Sequence, residues 1–324
     1  MHLYFAPLEG ITNGIYRRIH GRHFPPLARY FTPFFTPNSK NGLSAKDLRE
    51  LSPEGSEETF LVPQLLTNRS EDFSLACQAL SDLGYGIVNL NLGCPSGTVV
   101  SKGKGSGFLA KPDELRRFFD EVFSRVTVSV SIKTRIGVSD SSEFPALLEI
   151  FNDYPLEELI VHPRLRQDFY KGRPDLEAFC LALERSRAPV VYSGDLFTAG
   201  NVSDFQGQFP AAKSLMLGRG LIANPALARQ VQGGAALTLQ ELRGFHDELY
   251  AAYRQVLSGQ KPVLHKMKEL WHYMICLFAD RDKHEKALRK AQSFEAFQAA
   301  AAAVFRDLAL CPAEGYCSPG GLSR

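Results

Sequence analysis

Cys94, set between a glycine and a proline, is the first candidate for chemistry in this 324-residue chain. It follows Asn89-Leu90-Asn91-Leu92-Gly93 and precedes Pro95-Ser96-Gly97-Thr98. A free cysteine most often packs in a core. Loop-forming residues on both flanks argue instead for an accessible thiol, an acid of pKa about 8.5 that can give up a proton. Downstream lies Lys102-Gly103-Lys104-Gly105-Ser106-Gly107. This stretch lacks the order of a P-loop, and it reads as a mobile loop able to close over a substrate.

Other polar and glycine residues stand at the ends of short β-rich runs: Pro7-Leu8-Glu9, Gln64, Lys133-Thr134-Arg135, His162-Pro163-Arg164, Ser193-Gly194-Asp195 and Gly218-Arg219-Gly220. The last two suit a phosphate, because glycine lets backbone N–H groups approach anionic oxygens and Arg219 adds charge. Gln64 can both donate to and accept from the edge of a polar ring. Lys133 can place positive charge where a reduced flavin gathers negative charge. A ligand with a phosphate tail and a polar ring is expected, which fits FMN. Arg164, Arg166, Lys171 and Arg173 surround Phe169-Tyr170, a mixture suited to phosphate contact and base stacking.

These residues need a scaffold that brings strand ends together. Eight strands are predicted, near residues 3–6, 28–31, 60–64, 86–90, 127–132, 158–161, 189–193 and 214–217. Helical periodicity separates most of them, as in residues 113–123, where Leu115, Phe118, Phe119 and Val122 share one face behind Pro112. Alternation of this kind predicts an α/β fold, a (β/α)8 TIM barrel, whose active site sits at the C-terminal strand ends. The pattern changes past residue 234. Thr238 and Glu241 form a capping box, and Leu242, Phe245, Leu249, Tyr253 and Val256 repeat at helical spacing. Expected are a catalytic barrel over residues 1–235, a helical domain over 236–310 and a loose tail over 311–324.

Hydrophobic residues are 44% and charged residues 22% of the chain, values of a globular protein rather than a disordered or fibrous one. The net charge is only +2, but it is uneven. Residues 261–290 carry eight Lys/Arg against four Asp/Glu, an excess of +4, while the rest of the chain carries 29 against 31. That region holds Lys266 and Lys268, candidates for contact with a phosphate backbone. The six cysteines lack CxxC spacing, so no structural zinc or iron–sulfur site is expected and a metal plays no part in the reading. Neither an export signal nor an 18-residue apolar run is present, so a cytoplasmic protein without a membrane span is expected.

Taken together, these motifs resemble the tRNA-dihydrouridine synthases over nearly the whole chain. The most specific part is Asn89-Leu90-Asn91-Leu92-Gly93-Cys94-Pro95 followed by Gly105-Ser106-Gly107. Val62-Pro63-Gln64, Ser131-Ile132-Lys133-Thr134-Arg135, Val161-His162-Pro163-Arg164 and Leu217-Gly218-Arg219-Gly220 follow in the family's order. The resemblance implies an FMN enzyme, reduced by NADPH, that saturates the C5–C6 bond of uridines in tRNA. It implies FMN contacts from Pro7, Leu8, Glu9, Gln64, Lys133, His162, Ser193, Gly194, Asp195, Gly218 and Arg219. Asn91 would lie near flavin and substrate, and Cys94 would give the proton to C5 as hydride reaches C6. The helical domain would grip tRNA, with Arg164, Arg166, Lys171, Lys266 and Lys268 as further contacts, and the protein would act as a monomer. Three departures, Arg164-Leu165-Arg166 after His162-Pro163, Ser193 ahead of Gly194 and a one-residue shift of the basic-aromatic stretch His265–Tyr273, leave the target uridine open. Two other readings stay open on sequence: an FMN barrel reductase of a small molecule, and a non-catalytic RNA-binding protein.

Overall fold

The computed structural model describes residues 1–25, 27–51 and 60–317. Its strands are β1 (His2–Phe5), β2 (Arg29–Phe31), β3 (Leu61–Val62), β4 (Gln64–Leu65), β5 (Ile87–Leu92), β6 (Ser129–Arg135), β7 (Leu159–His162), β8 (Val190–Tyr192) and β9 (Ser214–Leu217). All pair in parallel, in the order β3-β2-β1-β9-β8-β7-β6-β5-β4. β3 and β4 are two halves of one strand, divided at Pro63, which has no N–H to give a ladder. Leu61 pairs with Tyr30 on one side, and Gln64 pairs with Asn89 on the other. This one interrupted strand closes the sheet into a barrel of eight strand positions, with helices following each. The (β/α)8 fold expected from the alternation is the fold observed.

Alternate residues along each strand face opposite sides. Tyr4, Ala6, Phe31, Val62, Ile160, Val191 and Met216 form a separate apolar cluster within the barrel. Their neighbours Leu3, Phe5, Leu159, Val161, Leu215 and Leu217 belong to the larger core under the helices. Two residues further along the same inward rows, the types become polar or small: Val62 gives way to Gln64, Ile160 to His162, Val191 to Ser193 and Met216 to Gly218. The period-2 pattern thus builds an apolar plug with a polar layer on its C-terminal side. Outside, the Pro112–Phe123 helix buries Leu115, Phe118, Phe119 and Val122, the face its spacing predicts. Each such aromatic or leucine contributes about 1.5–3 kcal/mol when withdrawn from water.

Several strands run further than predicted. β5 reaches Leu92 and β6 reaches Arg135, so Asn91 and Lys133 are paired strand residues, in register with each other, rather than loop residues. Extended backbone holds a side chain at a better-defined height than a loop does.

The chain then turns helical, through Leu239–Val256, Gln260–Met274, Asp282–Lys290 and Phe294–Asp307. The capping box at Thr238 and Glu241 is present. The first of these helices packs on the Gly14–His23 helix of the barrel. Phe245 meets Tyr16 and Phe24 at 5.6 and 5.4 Å between ring centres, and the Tyr253 hydroxyl donates to Asn13 at 3.0 Å. After the last helix the chain is not a loose tail through residue 317. Leu310 bridges Phe278, Cys311 N–H donates to the Leu277 carbonyl at 2.6 Å, and Gly315 is buried beside Phe197. The remainder of the predicted tail, with Pro319-Gly320-Gly321, lies outside the described residues.

Candidate active site

A cavity of about 460 Å³ opens at the C-terminal ends of the strands. Every residue expected to hold a cofactor lines it: Pro7, Leu8, Glu9, Gln64, Lys133, His162, Ser193, Gly194, Asp195, Gly218 and Arg219. Asn91 and Cys94 line it too. The barrel floor beneath is a chain of amides. Asn91 Nδ2 donates to Gln64 Oε1 at 2.7 Å, Gln64 Nε2 donates to Asn89 Oδ1 at 2.8 Å, and Asn89 Nδ2 donates to Ser131 Oγ at 2.8 Å. Each amide orients the next, so Gln64 keeps one N–H and one lone pair for a ligand.

The same Asn91 shapes the cysteine turn. Its Oδ1 accepts the backbone N–H groups of Gly93 and Cys94 at 3.0 and 2.9 Å. The Cys94 carbonyl accepts from Ser106 N–H at 3.1 Å and from Ser106 Oγ at 2.8 Å. The glycine stretch is therefore not a mobile flap. Gly105 through Leu109 are buried in the 3-10 turn Gly105–Ala110, directly against the cysteine. Gly105 has φ +56°, and a Cβ there would lie 2.8 Å from the Cys94 carbonyl oxygen. Glycine at this position is a requirement of close packing, not of motion. Burial raises the Cys94 pKa, Glu9 adds to the rise, and Ser96 N–H, Arg135 and Lys133 oppose it. The thiol stays protonated at neutral pH, the state a proton donor needs.

Cations line the part of the cavity beside the cysteine turn. Burial draws Lys133 down to about 8, and Arg135 pushes the same way. The Lys133 ammonium has no side-chain hydrogen bond or ion pair to protein among the described residues, although its backbone is paired within the sheet. His162 falls well below the ordinary histidine value through burial and the nearby Lys133, Arg135, Arg164 and Arg219. It is a neutral imidazole. Arg164 can only donate, so His162 Nε2 accepts from Arg164 Nη1 at 3.2 Å and the proton sits on Nδ1.

Asp195 is held by two guanidiniums. Arg164 grips both carboxylate oxygens, one at 2.8 Å, and Arg219 Nη2 reaches Oδ1 at 2.6 Å. The Arg164 guanidinium also donates to the carbonyls of Lys171 and Gly172. It is 1% exposed. The sequence placed Arg164 at an RNA surface, but the fold places it beneath the loop as a support for Asp195. Of the other two cations of that loop, Arg166 is half-buried and Lys171 is exposed. Lys266 and Lys268 are also turned inward, Lys266 to the Gly10 carbonyl and Glu269, Lys268 to the Ala291 carbonyl. Neither lines the cavity.

Other residues take part in ways that their sequence positions did not show. Arg135 ends β6 and joins the cysteine loop to the next one, donating to the carbonyls of Gly93, Leu165 and Phe169 at 2.9, 2.7 and 2.6 Å. Phe169 takes φ +53°, strained for an aromatic residue, at the point where Arg135 clasps it. Tyr273 and Tyr316 reach the cavity from the helical region and the chain after it. Only the fold brings them there.

The family model described as "Dihydrouridine synthase (Dus)" matches residues 4–307. The chain is 26% identical over 231 residues to tRNA-dihydrouridine synthase B of Pasteurella multocida, covering 71% of this chain and 68% of that one. It is 24% identical over 315 residues to tRNA-dihydrouridine synthase B of Vibrio parahaemolyticus, covering 92% of each. Among solved structures, morphinone reductase in complex with tetrahydroNAD superposes with a TM-score of 0.51 at 13% identity, over 73% of this chain and 88% of that one. That likeness concerns the fold alone. A model match across nearly the whole chain, on a barrel whose mouth holds the thiol, makes this protein an oxidoreductase of the dihydrouridine synthase family.

Proposed function

We propose that the protein reduces the C5–C6 double bond of specific uridines in tRNA, using FMN held in the cavity and NADPH as reductant. The observation that carries this reading is that Cys94 and Lys133, on paired neighbouring strands and the turn that follows, line one cavity. One offers a protonated acid and the other an ammonium that lacks a protein partner. A partly buried, unpartnered cation calls for an anionic or strongly polar ligand.

The donor set fits a flavin mononucleotide. Gln64 and Lys133 would hold the polar edge of its ring system. Ser193, Gly194, Gly218 and Arg219 would hold the phosphate, because Asp195 neutralises only one of the two guanidiniums bound to it. Bound there, FMN would supply the hydride that C6 receives. The Cys94 thiol gives its proton to C5, and a positioned acid contributes roughly 10²–10⁴-fold to such a step. Asn91 and Ser106 hold the cysteine turn still while this happens. Arg135 clasps the two loops between which a base must enter.

The RNA would lie across Arg166, Lys171 and the exposed face of the Asp282–Lys290 helix, in the cytoplasm where tRNA is processed. Three measurements test the whole reading. The purified protein should be yellow and release FMN by mass. It should oxidise NADPH faster when unmodified tRNA is present. tRNA from a strain lacking the gene should lose dihydrouridine at defined positions. A colourless protein, or tRNA with its full dihydrouridine content in that strain, would refute it.

A further inference from the structure

The chain after the last helix takes part in the site. Residues 311–317 are fixed at several points: the Cys311 and Leu310 contacts described above, Cys276 Sγ donating to the Cys317 carbonyl at 3.1 Å, and Arg281 Nη2 donating to Cys317 Sγ at 2.8 Å. Gly315 has φ +68°, and a Cβ on it would fall 2.6 Å from the Phe197 carbonyl oxygen. No other residue type fits so close to the loop after β8 without moving it. This docking delivers one side chain to the cavity, Tyr316. Its ring stacks on Tyr273 with centres 5.4 Å apart and meets Phe197 edge-on at 5.3 Å.

Tyr316 and Phe197, together with Tyr170, surround Arg219. The Arg219 guanidinium carbon lies 4.8 Å from the ring centre of Tyr170, 5.2 Å from Phe197 and 5.3 Å from Tyr316. Its Nη2 is engaged by Asp195, while Nε and Nη1 have no protein acceptor among the described residues. Arg164 already satisfies Asp195, so the box keeps a net positive charge. Aromatic faces attract a guanidinium without consuming its N–H donors, which leaves those donors for an anion.

We propose that Tyr316 is a positioning residue for the phosphate grip: residues 311–317 form a strap that holds Arg219 at the end of the cavity where the cofactor's phosphate binds. This rests on the flavin reading above. A strap acting through Arg219 affects the phosphate alone, whereas a residue that merely shapes the cavity affects the ring as well. FMN and riboflavin, which differ by that phosphate, separate the two.

The full-length protein, stripped of flavin, is titrated with each ligand by fluorescence quenching. Tyr316→Ala should raise the dissociation constant for FMN about tenfold, within the range of a partly desolvated cation–π contact, and leave riboflavin unchanged. Tyr316→Leu, which keeps the bulk without the ring, should show the same selective loss if the smaller variant folds poorly. Tyr316→Phe should behave as the parent. In an Arg219→Ala background, adding Tyr316→Leu should cost less than twofold. Equal weakening of both ligands, no weakening of FMN, or an undiminished effect without Arg219 would each overturn the strap while the flavin reading stands. A parent protein that binds neither ligand would overturn that reading and the strap with it.

Discussion

The side-chain oxygen of Asn91 accepts the backbone N–H of Cys94 at 2.9 Å, while its amide nitrogen donates to Gln64 at 2.7 Å. One side chain thus couples the proposed proton donor to the proposed ring contact. Asn91→Ala would release the cysteine turn and leave a buried amide oxygen of Gln64 short of a donor, at about 1–3 kcal/mol. The expected result is a protein that folds and binds flavin more weakly, with slower reoxidation of its reduced flavin by tRNA. A reoxidation rate equal to the parent's would show that Asn91 only supports the floor.

The Cys94 thiol is pushed up by burial, so it loses its proton only as pH climbs beyond the ordinary thiol value. The acid form is the active one. Uridine reduction should therefore show a first alkaline loss as Lys133 gives up its charge at about 8, and a further one above the point expected for a free cysteine as the Cys94 thiol ionises. Cys94→Ser keeps the shape but is a much poorer acid. It should be reduced by NADPH normally and slow the tRNA half-reaction by roughly 10²–10⁴-fold. Rapid mixing resolves the two halves. Parent-like reoxidation by tRNA in Cys94→Ser would move the proton source elsewhere.

What could be read in the chain, and what could not, divides along one physical line. Strand alternation and the residue type at each strand end are local, so Gln64, Lys133, His162 and Gly218 could be assigned to one barrel mouth from order alone. Burial is not local. Charged residues are seldom fully buried unless paired, which made Arg164 look like a surface contact. Its partner Asp195 is 31 residues away and reached only through the fold. The glycine run after Cys94 failed similarly. Glycine permits both motion and close approach, and only the 2.8 Å gap between a Gly105 Cβ and the Cys94 carbonyl identifies the second. Tyr316 carried no signal, because its role depends on a chain reversal more than 200 residues from Cys94.

Arg164 separates a support from a contact. Its guanidinium pairs with Asp195 and two carbonyls, and removing one member of such a buried pair costs about 3–5 kcal/mol. Arg164→Ala should lower the melting temperature by several degrees and loosen bound flavin through Asp195 and Arg219. tRNA affinity of the protein that remains folded should keep its dependence on salt. A variant with the parent's melting temperature and a weaker grip on tRNA would return Arg164 to the RNA surface.

Lys266 and Lys268 are occupied with Gly10, Glu269 and Ala291, so the net positive charge of the helical region must act elsewhere. The Asp282–Lys290 helix offers the better surface. It buries Leu288 and leaves Lys283, Lys286, Arg289 and Lys290 exposed. Lys283, Lys286 and Lys290 follow one another at helical spacing, so they present a row of charge. A phosphate backbone bound along that row releases condensed counterions, and each lost contact should reduce the salt slope of log affinity by about 0.7–0.9. Lys286→Ala with Lys290→Ala should therefore weaken tRNA binding at low salt, flatten the slope by about 1.4–1.8, and leave NADPH oxidation with an artificial acceptor unchanged. Lys266→Ala should instead disturb the contact to Gly10 beside the cavity, and so alter flavin binding more than the salt slope. An unchanged slope in the double variant would place the RNA on another face of the protein.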